Sequence, residues 1–161
     1  MITLLAIAAS LALTPAAMPT PPGELPVDPY EVSNSNAGAE PLSDPAVFEA
    51  FGGIEGIDRI VDDMVERITV DPRLADIFRA SDFVRLRRTL KEQFCYLLGG
   101  PCDYTGMPMR SSHADHGITT AEFNALVENL QLAMDAEGVP FRMQNRLLAL
   151  LAPMQRDIVT R

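Results

Sequence analysis

The chain of 161 residues has no tryptophan, only three tyrosines, two cysteines and two histidines. With aromatic residues at 6%, little is left for base-stacking platforms or for an interface anchored on large rings. Positive charge is also scarce: 13 Lys and Arg face 22 Asp and Glu, a net charge of −9. That balance excludes a general polyanion binder, because nothing in the bulk field would gather nucleic-acid phosphates or an anionic membrane surface. No sustained run alternates with period two, so a sheet has no sequence basis. What is present is a 47% apolar complement, enough for the core of the one globular unit that a chain of this length allows, at about 150 residues per domain. Small-ligand chemistry on an all-α scaffold is the expectation.

Charge is unevenly spread. Residues 1–40 hold four acids, six of the thirteen prolines and no base, the first being Arg59. Residues 2–13 form an uncharged apolar run followed by Thr14-Pro15-Ala16-Ala17, the pattern of an export signal over residues 1–17 that lacks the usual positive start. At a dozen residues the run falls short of the roughly 20 that span a bilayer, so no stable membrane span is expected in the mature chain. The expected location is therefore exported and periplasmic, the alternatives being an N-terminal anchor or a cytoplasmic chain. Residues 18–45, rich in Pro, Ser and Asn, read as a disordered tether, and residues 46–161 as the folded domain. In an oxidising compartment Cys95 and Cys102 are able to pair; two separate small apolar residues are the other reading. A zinc site from Cys95, Cys102, His113 and His116 has the right elements, but its spacing matches no usual finger pattern.

From Ile54 onward apolar residues recur at helical intervals. Ile54, Ile57, Ile60/Val61, Met64/Val65 and Ile68 make a stripe that Asp71-Pro72 ends. A short segment runs from Leu74 to Arg79. Ser81 and Asp82 offer caps to a helix whose buried face is Phe83, Leu86, Leu90, Phe94 and Leu97, stopped by Gly99-Gly100-Pro101. One or two turns fit between Met107 and His113. Thr119-x-x-Glu122 is a capping box for a helix with Phe123, Leu126, Val127, Leu130 and Met134 on one face. A last helix carries Met143, Leu147, Leu150/Leu151, Met154 and Ile158.

His113 stands out chemically, at the end of a short helix between apolar ones. Imidazole in such a place is either a satisfied core group or a metal ligand. The order of the surrounding pieces supplies the context: Phe51-Gly52-Gly53-Ile54, Asp71-Pro72-Arg73-Leu74 with Ile77-Phe78, Leu97-Leu98-Gly99-Gly100-Pro101, Tyr104-Thr105-Gly106, Met109-Arg110-Ser111-Ser112-His113, Gly117-Ile118-Thr119, Phe123 and Gly138-Val139-Pro140. Taken together, in order and with matching spacing over about residues 48–158, they resemble the group I truncated haemoglobins. The resemblance implies an all-α, two-over-two helical sandwich around haem b (iron protoporphyrin IX), with His113 as proximal axial ligand of the iron and Phe78 packed on the porphyrin. Phe94, Phe123, Leu147 and Leu151 would complete an apolar slot, with Tyr104, Met109 and Ile118 also in the cofactor-binding set. Arg110, or a member of the Arg87/Arg88/Lys91 cluster, would face the propionates. Those bases, with Arg85, are otherwise an ordinary solvated helix face, and His116 an exposed loop residue or an alternative ligand.

Departures from the family pattern bear on function. Where members usually place Phe-Tyr on the first long helix this chain has Met64-Val65, and the inward distal positions are Leu86 and Leu90. Val65, Leu86 and Leu90 therefore form an apolar distal pocket without a hydrogen-bond donor for dioxygen. The expected function is a haem-binding globin that binds a diatomic gas (O2, CO or NO), favouring CO or NO over stable oxygen storage. Alternatives are NO dioxygenation or peroxidase-like chemistry, which would need a redox partner, and a haem-free interaction protein on the globin scaffold. No nucleic-acid partner is expected.

Overall fold

A computed structural model describes residues 20–161, and among them every regular element is helical. The export-signal reading of residues 1–17 lies outside the described residues. The helices are α1 (Pro45–Ala50), α2 (Gly53–Val70), α3 (Ala75–Phe78), α4 (Phe83–Leu97), α5 (Met109–His113), α6 (Thr120–Ala136), α7 (Phe141–Leu151) and α8 (Gln155–Ile158), with 3-10 turns at Asn34–Ala37 and Ala152–Met154.

The caps fall where side-chain chemistry puts them. Asp44 caps α1 by accepting from the Ala46 N–H, with Pro45 just inside the helix, and Asp82 caps α4 by accepting from Val84 and Arg85. The Thr119/Glu122 capping box of α6 is formed in both directions. Between α1 and α2 the chain turns at Gly52 and Gly53, whose φ values of 78° and 64° suit only glycine well. The corner is tight: a Cβ on Gly56 would lie 2.0 Å from the Phe51 carbonyl oxygen.

The α2 stripe is the centre of the fold. Ile57, Ile60, Val61, Met64, Val65 and Ile68 are all buried, while Ile54, assigned to the same stripe from its spacing, is half exposed at the corner. α2 packs on α4 at one side and on α6 at the other, and α7 joins both α4 and α6. The result is two helices over two, as expected. The last helix differs from the sequence reading: Pro153 lacks an N–H and crowds the preceding turn, so the chain passes through a 3-10 turn between α7 and α8.

The tether expected through residue 45 is corrected for residues 20–45. Ala37 is fully buried and accepts from Gln93 Nε2 at 2.9 Å; the Leu42 N–H donates to the Leu97 carbonyl at 2.8 Å; Tyr30 donates to the Thr105 carbonyl at 2.7 Å. The segment is held by isolated polar anchors, which leave no apolar period in the sequence. Cys95 and Cys102 form a disulfide with Cα atoms 5.8 Å apart. Both sulfurs are thus committed, and among the described residues no group of three or more His, Cys, Asp or Glu could hold a metal ion, which removes the zinc reading.

Candidate haem site

α5 is a five-residue helix that starts after Pro108, where the missing N–H costs nothing. Its last residue is His113, whose Nδ1 lies 2.7 Å from the Met109 carbonyl oxygen. A carbonyl only accepts, so Nδ1 carries the proton and Nε2 keeps its lone pair. Burial pushes the imidazole's pKa below its usual 6.5, the Met109 hydrogen bond opposes this, and His116 reinforces it. The ring is therefore neutral at ordinary pH, the form that binds a metal.

His113 is on the wall of a cavity of about 140 Å³. Leu74, Ile77, Phe78 and Ser81 come from α3 and its flanks, Ser112 and His116 from α5 and its exit, Ile118, Glu122, Phe123 and Leu126 from the start of α6, and Ile158 from α8. Among the described residues the one carboxylate on this wall is engaged, since Glu122 Oε2 accepts from the Thr119 N–H and hydroxyl, both at 2.7 Å. The Thr119 N–H bond first, then its hydroxyl, holds the Glu122 pKa below normal, so it stays ionised and committed to the cap. An imidazole lone pair on an apolar wall is what a haem iron and its macrocycle require on one face, and these residues fit that group.

Of the sequence-predicted set, the structure brings Phe78, His113, Ile118 and Phe123 to this cavity. The others lie apart from it. Val65, Phe94 and Leu147 are buried in the main core, with Leu86, Leu90, Leu151 and Met109 packed against it; Leu86 also touches the second cluster of Ile68, Leu74 and Ala125, where it meets the same packing as Phe78. Tyr104 is buried and its hydroxyl donates to the Met107 carbonyl at 3.1 Å. Arg110 has a 76% exposed side chain and pairs with Asp157 at 2.6 Å, so it faces α8 and solvent instead of the cavity. The α4 bases are not simply solvated: Arg87 and Lys91 reach Asp62 of α2, and Arg85 and Arg88 reach Glu24. His116 is exposed at the cavity's rim.

Leu74, Ile77, Leu126 and Ile158 also line the cavity, beyond the set expected from the sequence. Leu126 shares the Phe123 face of α6 and Ile77 precedes Phe78, so period and adjacency carried a signal; Leu74 and Ile158 become neighbours only through the fold. The one buried polar side chain of α4 is also committed. Gln93, one turn beyond Leu90, is buried with its amide nitrogen on the Ala37 carbonyl and beside the Met109 and Met154 sulfurs.

A family model for bacterial-like globins matches residues 46–160. The chain is a truncated globin. It is 34% identical over 122 residues to the group 1 truncated hemoglobin GlbN of Mycolicibacterium paratuberculosis, covering 76% of this chain and 88% of that one. With GlbN of Nostoc commune identity is 31% over 93 residues, 58% of this chain and 79% of the relative. Among solved structures, the Fe(III) truncated hemoglobin of Tetrahymena pyriformis superposes with a TM-score of 0.68 at 23% identity, over 71% of this chain and 98% of that one, a likeness of fold. The group II truncated hemoglobin of Bacillus anthracis gives 0.63 at 30% identity, over 71% and 90%. In this truncated globin the cavity carrying His113 is formed by α3, α5, α6 and α8, all within the family-matched span.

Proposed function

We propose that this globin binds haem b through His113 and uses the iron to bind a diatomic gas. Family membership supports haem and gas binding, and one observation carries the residue assignment: an imidazole whose Nδ1 is held by the Met109 carbonyl, on a mostly apolar cavity wall, with no hydrogen bond at Nε2 among the described residues. Haem, when bound, would supply the iron to which the gas binds. The chain's part is to keep His113 neutral and oriented and to exclude water with Leu74, Phe78, Phe123 and Leu126. The residues read as distal from the sequence, Val65, Leu86 and Leu90, lie in or against the main core and offer no hydrogen-bond donor, and the buried Gln93 and Tyr104 donors of that core are already used. This favours CO or NO over long-lived bound oxygen, because distal donors stabilise polar bound dioxygen. It also disfavours NO dioxygenation, peroxidase-like turnover and oxygen transport as the main role. The Cys95–Cys102 disulfide supports export to an oxidising compartment such as a periplasm.

The test is the absorption spectrum of the protein purified with added haem. A Soret band that is lost or shifted in His113→Ala supports the assignment; a wild-type protein that stays colourless, or a variant with an unchanged band and iron coordination, refutes it.

A further inference from the structure

A buried carboxylate from outside the family-matched span sits on α4. The Glu24 side chain is only 1% exposed, and two guanidinium groups of the helix converge on it: Arg85 Nε at 3.0 Å, and Arg88 through Nη2 at 3.0 Å and through Nε. The flanking backbone is bound as well. The Leu25 N–H donates to Asp82 Oδ2 at 2.7 Å, and the Leu25 carbonyl accepts from Arg85 Nη2. Arg88 then continues to Glu92 at 2.9 Å and to the Thr105 hydroxyl, while Tyr30, six residues on from Glu24, donates to the Thr105 carbonyl at 2.7 Å. One strap thereby joins the first turns of α4 to the loop that leads into α5, the helix bearing His113.

Helical spacing makes the connection directional. Arg85, Arg88 and Glu92 lie at offsets 0, 3 and 7 on one face, and Leu86 and Leu90 lie on the other. A charge buried without partners is costly, so a carboxylate at this place is stable only while both guanidinium groups stay on it. The position of the strap and the position of α4 are therefore coupled.

We propose that Glu24 is a positioning residue for gas binding: by holding Arg85 and Arg88 it fixes α4 and, through Thr105, the loop that leads into α5 and His113, and so limits how readily CO binds at the iron. The proposal rests on the haem reading above. The test uses the full chain with Glu24→Gln, which keeps the side chain's shape and removes its charge, beside Met134→Ala, a core truncation on α6 that lowers global stability without touching the strap. Hydrogen exchange is measured on the haem-free proteins and CO association on the haem-loaded ones. The expected result is that Glu24→Gln speeds exchange of α4 amides about tenfold relative to α6 and speeds CO association several-fold, with the Soret band retained, whereas Met134→Ala leaves CO association unchanged. Unchanged α4 exchange, exchange raised equally in α6, or unchanged CO association in Glu24→Gln each overturns the proposal, as does a faster CO rate in Met134→Ala of the same size. A colourless wild type overturns the haem reading and the gas-binding role with it, while the exchange data still decide separately whether Glu24 holds α4.

Discussion

Breaking the Cys95–Cys102 bond should destabilise the domain by an amount that follows from its place in the chain. The two residues are seven apart, and a cross-link closing so short a loop removes about 8 cal/mol/K from the unfolded chain, or about 2.4 kcal/mol at 25 °C. With an unfolding entropy of roughly 0.3 kcal/mol/K for a domain of this size, the melting temperature should fall by about 8 °C. Reduction of the wild-type protein is the cleanest perturbation, because Cys95 is 2% exposed in the main core and a serine there would add the cost of a buried hydroxyl. Urea unfolding followed by circular dichroism, with and without a phosphine reductant and with thiols counted at the end, gives the difference directly. Hydrogen exchange should locate the loosening at the last turn of α4, which ends two residues beyond Cys95. If two free thiols are counted and the unfolding midpoint has not moved, the loop-entropy reasoning is wrong for this protein.

Val65→Tyr, compared with Val65→Phe to separate the hydroxyl from the added bulk, should slow oxygen release about fivefold, the equivalent of one hydrogen bond of about 1 kcal/mol; equal release rates in flash photolysis would mean that position 65 does not face the ligand. Thr119→Ala should lower stability by about 1 kcal/mol through loss of the α6 cap, measured by chemical unfolding. The pH dependence of the haem-free protein has two parts. The lowered pKa of Glu24, due first to its Arg88 hydrogen bond, and that of Asp71, due first to Arg73, contribute stability that is present above their ordinary values of 4.5 and 3.8 and is lost as the pH falls through the lower folded values. His113, buried and neutral, contributes in the same direction at higher pH: its share is complete above 6.5 and declines below it, because the unfolded chain takes up the proton more readily. A stability curve rising as the pH drops from 7 to 5 would contradict this.

Much of the architecture was legible because helix signals are local. The Thr119/Glu122 box, the Asp82 cap, the helical stripes of α2, α4 and α6 and the glycine-proline stops each depend on residues within a turn or two of one another; the box, the cap, the helices and the stops appear in the structure, while Ile54 is half exposed and Phe83, Leu86 and Leu90 are only partly buried. Likewise His113 was marked by its place at the end of a short helix in an ordered set of family-like pieces. The departures have equally local reasons. Pro153 lies inside an apolar period that continues across it, and the Asp44-Pro45 start of α1 lies in a stretch whose composition is that of a tether.

The order and polarity of the residues alone determined that the chain forms amphipathic helices around one core, where most of them begin and end, and that Val65, Leu86 and Leu90 carry no hydrogen-bond donor. Only the tertiary structure decided which faces meet: that Leu74 and Ile158, 84 positions apart in sequence, share a wall with His113, that Gln93 donates to Ala37, that the two cysteines are close enough to bond, and that Glu24 reaches Arg85 and Arg88 across some sixty residues. The physical reason is range. Caps and periodicity are settled by neighbours along the chain, whereas a cavity wall or an isolated ion pair exists only when segments distant in sequence are held together by the packing of everything between them.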